Sequence, residues 1–253
     1  MSARRSAPVA TVRRIAAQLR NDPRTIALIL VVPALLLTLL YFVFREVPVP
    51  PGREGPFATV GPIMLAVLPL LLMFIVTSVV MLRERTSGTL ERVLATPLSR
   101  ANLVTSYAAV FGVFALLQAG ILAALPLGPF GVALQGPWGM LLLVAALDAV
   151  VGVAFGLLAS AFARTEFQAV QFTPAFVGPQ IFLCGLLVPR DQMPGILDAV
   201  AGVLPMTWAV DVVRELLTAP DVSGDSWLRI GLLAAVAVAA LLLAAATMRR
   251  RTP

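Results

Sequence analysis

The sequence predicts an all-α membrane protein with six transmembrane helices, and three observations carry that prediction. Hydrophobic residues make up 59% of the 253 and charged residues only 13%, about half the roughly 25% charged content of soluble domains. Six apolar runs each reach the roughly twenty residues needed to cross a bilayer. All 19 basic residues are arginine, and they gather at the ends of those runs, which is how a membrane chain records its orientation. Around the six spans the sequence places an N-terminal interfacial amphipathic helix, a short cytoplasmic helix after the second span, and two short external re-entrant helices before the last. All of 1–253 reads as one transmembrane domain.

Residues 1–24 carry Arg4, Arg5, Arg13, Arg14 and Arg20, with Val12, Ile15, Ala16 and Leu19 forming one apolar stripe. Such a basic amphipathic helix lies flat among cytoplasmic headgroups. The next run, 26–44, is longer than a signal-peptide core and lacks a small-residue cleavage site, so it is read as a retained first span. The other spans are 62–82, 103–125, 138–162, 170–188 and 228–248. Placing the N-terminus, the 83–100 and 164–168 loops and Arg249, Arg250 and Arg251 on one side collects fourteen arginines there and leaves five opposite. Both termini are then cytoplasmic. Most acids (Glu46, Glu54, Asp191, Asp198, Asp211, Glu215, Asp221, Asp225) fall outside. Pro48, Pro50 and Pro51 stiffen the first external loop.

The fifth span holds Pro174 and Pro179, each of which removes a backbone hydrogen bond and can kink the helix. Along it Phe172, Phe176 and Gln180 fall on one slanting stripe, which suits either a large, amphipathic, mostly apolar passenger or helix packing. The external stretch 189–227 contains two apolar faces. Ile196, Leu197, Val200, Val203 and Leu204 make the first, and Ala209, Val210, Val213, Leu216 and Leu217 the second, with Thr207 as a candidate cap and Asp211, Arg214 and Glu215 on the polar side. Both helices are too short to span.

Absences exclude several chemistries. The chain has no lysine, no histidine and one cysteine, Cys184. A phosphate-binding P-loop needs its lysine, and zinc peptidases, Ser-His or Cys-His hydrolases and disulfide frameworks need residues that are missing here. Energy for any work must come from a partner or an ion gradient. The net charge of +6 reports topology and not nucleic-acid binding, because the arginines sit at segment ends. Asp148 lies inside the fourth span, where an ionised carboxylate costs at least a few kcal/mol. It is a proton-coupling site, a ligand for a cationic passenger, or a neutral, hydrogen-bonded packing residue. Glu166 reads as a solvated or interfacial charge.

The most informative stretch is 83–100, RERTSGTLERVLATPLSR. Gly88 permits a tight turn, 89–96 can form about two helical turns with Leu90, Val93 and Leu94 on one face, and Pro97 ends the element. A plain charged loop explains the arginines but not the turn, stripe and proline together. The segment resembles the coupling loop of type-2 ATP-binding cassette (ABC) exporter permeases, in which a glutamate ends the second membrane helix and a Gly-Thr-Leu-Glu-Arg run and an Ala-Thr-Pro stop follow. Glu84, Gly88, Thr89, Leu90, Glu91, Arg92, Ala95, Thr96 and Pro97 match. ARTEFQAVQF, the Pro-Gln pair, the Cys-Gly-Leu run, PRDQMP and TWAVDVVR extend the resemblance to the daunorubicin-type multidrug and lipid efflux branch.

The resemblance implies a permease subunit moving an amphipathic or hydrophobic substrate outward by alternating access. Two such subunits, as a homodimer or with a sister permease, would bind two copies of a separate ATPase that holds the ATP and Mg; this chain would hold no cofactor and catalyse nothing itself. Leu90, Val93 and Leu94 would anchor the loop in the ATPase cleft, with Glu84, Arg85, Glu91 and Arg92 as polar contacts. Met73, Phe74, Thr77, Phe172, Phe176 and Gln180 would line a passage at the subunit interface. The residues alone leave open a proton-coupled secondary transporter using Asp148, or a membrane scaffold. The arginine-only, alanine-rich composition suits the plasma membrane of a high-GC bacterium.

Overall fold

The computed structural model describes residues 2–50, 52, 54–87 and 99–247, without side chains for 2–8 and 100. Gly88, Thr89, Leu90, Glu91, Arg92, Val93, Leu94 and Pro97 of the expected coupling loop lie outside the described residues, as do 248–253. Among the described residues ten α-helices follow in order: α1 Ser2–Arg20, α2 Pro23–Arg45, α3 Pro56–Thr86, α4 Arg100–Leu127, α5 Trp138–Ser160, α6 Glu166–Phe176, α7 Gly178–Leu183, α8 Gly195–Ala201, α9 Pro205–Thr218 and α10 Gly224–Thr247. Among the described residues there is no strand. Five of the helices, α2, α3, α4, α5 and α10, are long and apolar enough to cross a membrane, and α8 with α9, bent by 91°, would make a sixth if counted as one broken span.

Local chemistry sets the ends of these helices. Asp22 caps α2, its Oδ1 accepting the Thr25 N–H at 3.2 Å and its Oδ2 the Thr25 hydroxyl at 2.7 Å; these bonds hold the Asp22 carboxyl below the usual range. Pro23 follows at the first turn, where a missing N–H costs nothing. Ser99 caps α4 through the Asn102 N–H, and Thr165 caps α6 through the Gln168 N–H.

The centre of the bundle is the pair α3 and α5. Two-thirds of the most apolar stretch of each is buried, against 17% for α2. The sequence permits this through Gly152 and Gly156, one turn apart on α5. A Cβ on Gly152 would lie 2.4 Å from the Leu70 carbonyl oxygen, and one on Gly156 would lie 2.6 Å from that of Phe74. Small residues at this spacing let helix backbones touch, the main source of packing energy where lipid is as apolar as leucine. By contrast α2 contributes a narrow edge, with Thr25, Ile29, Pro33 and Leu37 buried at every fourth position.

Three expectations need correction. The stripe of α1 is Thr11, Ile15 and Leu19, with Val12 half-buried and Ala16 exposed. That face packs on α4 in a cluster with Leu103, Val104 and Tyr107, because the apolar side chains find a matching apolar surface of the protein there. The fifth span is not one helix: Pro179 has no N–H to continue the ladder, so α6 ends at Phe176 and α7 restarts at Gly178. The chain then turns at Gly185, whose φ of +86° suits only glycine. Finally, Thr207 does not cap α9. The helix begins at Pro205, and Thr207 is buried with its hydroxyl unpartnered among the described residues.

At the end of the bundle away from α1, α8 leaves Ile196 81% exposed, whereas α9 sinks Met206, Ala209, Val210, Val213 and Leu216 into the bundle. Charges tie the two together. Arg190 bonds Asp198 and Asp211, at 2.7 and 2.8 Å, and Arg229 of α10 approaches Asp211 at 3.6 Å. The Gln135 and Gly136 N–H groups donate to the Leu216 carbonyl, fastening the α4–α5 connection to α9.

Candidate functional site

The last turn of α3 carries three consecutive charges into the 88–98 segment, and each is held by a different element. Arg83 donates from Nε and Nη2 to the two carboxylate oxygens of Glu166 on α6, at 2.8 and 2.9 Å. This bidentate partner holds the Glu166 carboxyl below the ordinary glutamate value. Both side chains are about half exposed, so the pair positions α6 against α3 more than it stabilises the fold. Glu84 turns inward to Arg14 of α1 at 3.4 Å. Arg85 donates from Nη1 to the Ser160 carbonyl, one of the acceptors left open at the C-terminal end of α5.

This placement revises the reading of Glu84. At 3% exposure it is buried, on the side of α3 that carries Met81 toward Ile15 and Leu103 and opposite Leu82. The Tyr107 hydroxyl lies beside the pair, and Arg14 Nε and Nη2 have no hydrogen-bond partner among the described residues. Nothing in the sequence marked Arg14 out from the other N-terminal arginines, since its partner is 70 positions away.

The residues expected along a passage divide into groups. Phe74, Phe172 and Phe176 come together, with ring centroids 6.0 Å apart for Phe74–Phe176 and 6.3 Å for Phe172–Phe176, and Phe176 is exposed. Met73 points the other way, into the cluster of Ile29, Tyr107 and Phe111. Thr77 is buried beside Gly156. Gln180 does not continue the stripe of Phe172 and Phe176. The break after Phe176 turns it inward, where Oε1 accepts the Met206 N–H at 3.2 Å and Nε2 donates to the Phe176 carbonyl. It thereby joins α7 to the start of α9.

Asp148 is fully buried in α5, and neither carboxylate oxygen has a hydrogen-bond partner among the described residues. The packing reading therefore keeps its burial and loses its hydrogen bond. Among the described residues no three His, Cys, Asp or Glu side chains gather closely enough to hold a metal ion.

Comparison with known proteins meets this geometry from outside. A family model described as ABC-2 type transporter matches residues 8–218. The chain is 27% identical over 157 residues to a probable multidrug ABC transporter permease of Escherichia coli K12, YbhR, a match covering 62% of this chain and 43% of that protein. It is 31% identical over 137 residues to the linearmycin resistance permease protein LnrN of Bacillus subtilis 168, covering 54% and 35%. It is 28% identical over 175 residues to nodulation protein J of Rhizobium leguminosarum bv. viciae, covering 67% and 64%. The matched region is thus less than half the length of the first two relatives. The family match runs from within α1 to the end of α9 and so takes in the anchored turn of α3, the α3–α5 centre and the bent pair α8 and α9: the chain belongs to the ABC-2 type transporter family.

Proposed function

We propose that this chain is the membrane-spanning permease of an ABC exporter, moving an amphipathic or hydrophobic substrate outward while a separate ATPase, present in two copies, supplies the energy. A second permease subunit completes the passage, and both termini face the cytoplasm with the 88–98 segment. The observation that carries this reading is the triple anchoring of Arg83, Glu84 and Arg85. A push on the segment they lead into reaches α6, α1 and α5 at once. That is what an external motor needs, because packed helices respond to small displacements by shifting as rigid bodies. The names of YbhR and LnrN, a probable multidrug and a linearmycin resistance permease, support a role in drug transport.

Leu90→Asp tests the reading. It places a charge in an apolar contact and removes buried area, a loss of roughly 2 kcal/mol or more at an interface anchor. At matched membrane expression, the variant is expected to lose co-purification with the cognate ATPase and ATP-dependent extrusion of an amphipathic fluorescent dye. Normal binding and extrusion would remove the central support of the proposal.

Orientation has its own check. In a Cys184→Ala background, a cysteine at the exposed Thr86 is expected to react with an impermeant thiol reagent only from the cytoplasmic side, and one at the exposed Asp221 only from outside. Labelling of position 221 from the cytoplasm would reverse the proposed topology.

A further inference from the structure

We propose that the pocket between the ends of α2, α3 and α4, on the side away from α1, holds the headgroup of an ethanolamine phospholipid. The cavity is about 380 Å³, within the size range of small-molecule sites. It lies where three apolar helices stop, at Arg45, Pro56 and Leu127, and therefore at headgroup depth. Exposed Trp138 and Trp227, at the starts of α5 and α10, mark the same level.

The inner wall is aromatic. Tyr41 stacks on Phe130 with centroids 4.2 Å apart, and Phe57 meets both rings edge-on. Opposite charges complete the lining: Arg45 from the end of α2 and Glu54 from the approach to α3. Both are exposed, and neither forms a salt bridge or hydrogen bond with another described residue. A guanidinium and a carboxylate that line one pocket without a partner among the described residues, against an apolar wall and at the membrane boundary, fit a zwitterion with a tail. Arg45 matches a phosphate, and Glu54 accepts N–H bonds from a primary ammonium. A choline headgroup offers no such N–H, and rings already packed on one another do not form the open aromatic cage a quaternary ammonium prefers. The occupant would brace the outer end of α2, the helix with the narrowest buried edge. None of this depends on the coupling reading; the proposed topology enters only in calling this end of α2 the outer one.

The test is a lipid titration of the purified full chain in detergent, read by native mass spectrometry, with ethanolamine, choline and glycerol phospholipids of identical acyl chains. The ethanolamine lipid is expected to be retained at about fivefold lower concentration than the other two. Glu54→Gln is expected to abolish that preference without weakening choline-lipid binding, and Arg45→Gln to weaken all three. Both positions are exposed and unpaired among the described residues, so the variants should unfold at the wild-type temperature, which is measured alongside. Equal retention of the three lipids, a preference for the anionic glycerol lipid, or an ethanolamine preference that survives Glu54→Gln would each overturn the assignment. So would displacement of the lipid by equimolar phosphoethanolamine, which would make the site one for a soluble phosphate ester.

Discussion

Gly152→Val is expected to leave almost no monodisperse protein in a detergent extract, while Gly231→Val, the same change on α10, is expected to behave as wild type. The difference is in what each new side chain meets. A Cβ at Gly152 lies 2.4 Å from the Leu70 carbonyl oxygen and 2.9 Å from its Cα, and a Cβ at Gly231 meets nothing within 4 Å. Side chains in an overpacked core can change rotamer, which limits the cost to about 1–3 kcal/mol. Here the obstacle is backbone of the facing helix, so α3 and α5 must separate along their whole contact and the cost is expected at or above the top of that range. Against a total stability of about 5–15 kcal/mol, with the Arg85–Ser160 anchor depending on the same pair of helices, that is a large fraction. Gly152→Ala tests the gradation: helix propensity gains about 1 kcal/mol, but the 2.4 Å contact already applies to its methyl group, so a net loss is expected. Fluorescence-detected size-exclusion after stepwise heating measures all three variants. If Gly152→Val and Gly231→Val melt alike, the close approach of α3 and α5 is not the centre of the fold.

How much of this was legible beforehand follows from what hydropathy reports. Run length located five of the six expected spans, because a bilayer imposes its thickness on sequence; the fifth run, 170–188, forms no membrane-length helix. Pro179 announced the break in the fifth run, and two short apolar faces announced α8 and α9. What hydropathy does not report is the neighbour. A helix in lipid is apolar on every side, so periodicity cannot say that Met73 and Phe74 face opposite clusters or that Gln180 turns to Met206. The usual exception is the small residue, and Gly152 with Gly156 was a readable signal of close helix contact that the span-by-span reading passed over. Charged contacts were the least legible. Arg190 with Asp198 and Asp211 joins three separate elements, and sequence spacing carries no trace of such a choice.

The Arg14–Glu84 pair gives the second large effect, and its asymmetry is the useful part. Removing one member of a buried pair strands the other, at about 3–5 kcal/mol when the survivor is fully buried. Glu84 is 3% exposed and Arg14 33%. Arg14→Ala therefore strands the more buried charge and is expected to cost near that range. Glu84→Ala leaves an arginine that can extend toward water, and is expected to cost less, about 1–3 kcal/mol after allowance for solvent. The double variant Arg14→Ala/Glu84→Ala strands neither group and is expected to be more stable than Arg14→Ala alone, a non-additivity of about 1 kcal/mol or more for residues in direct contact. Denaturant unfolding of the three purified variants, followed by tryptophan fluorescence, supplies the cycle. Strict additivity would mean that the two side chains do not interact and that α1 is not tied to the end of α3. If they do interact, the double variant separates stability from coupling: it keeps the loop proposed to meet the ATPase and loses the link to α1. ATPase co-purification is then expected to persist while dye extrusion falls about tenfold, a barrier increase of about 1.4 kcal/mol. Full extrusion by the double variant would confine the pair to a structural role and leave Arg83 and Arg85 to transmit the motion.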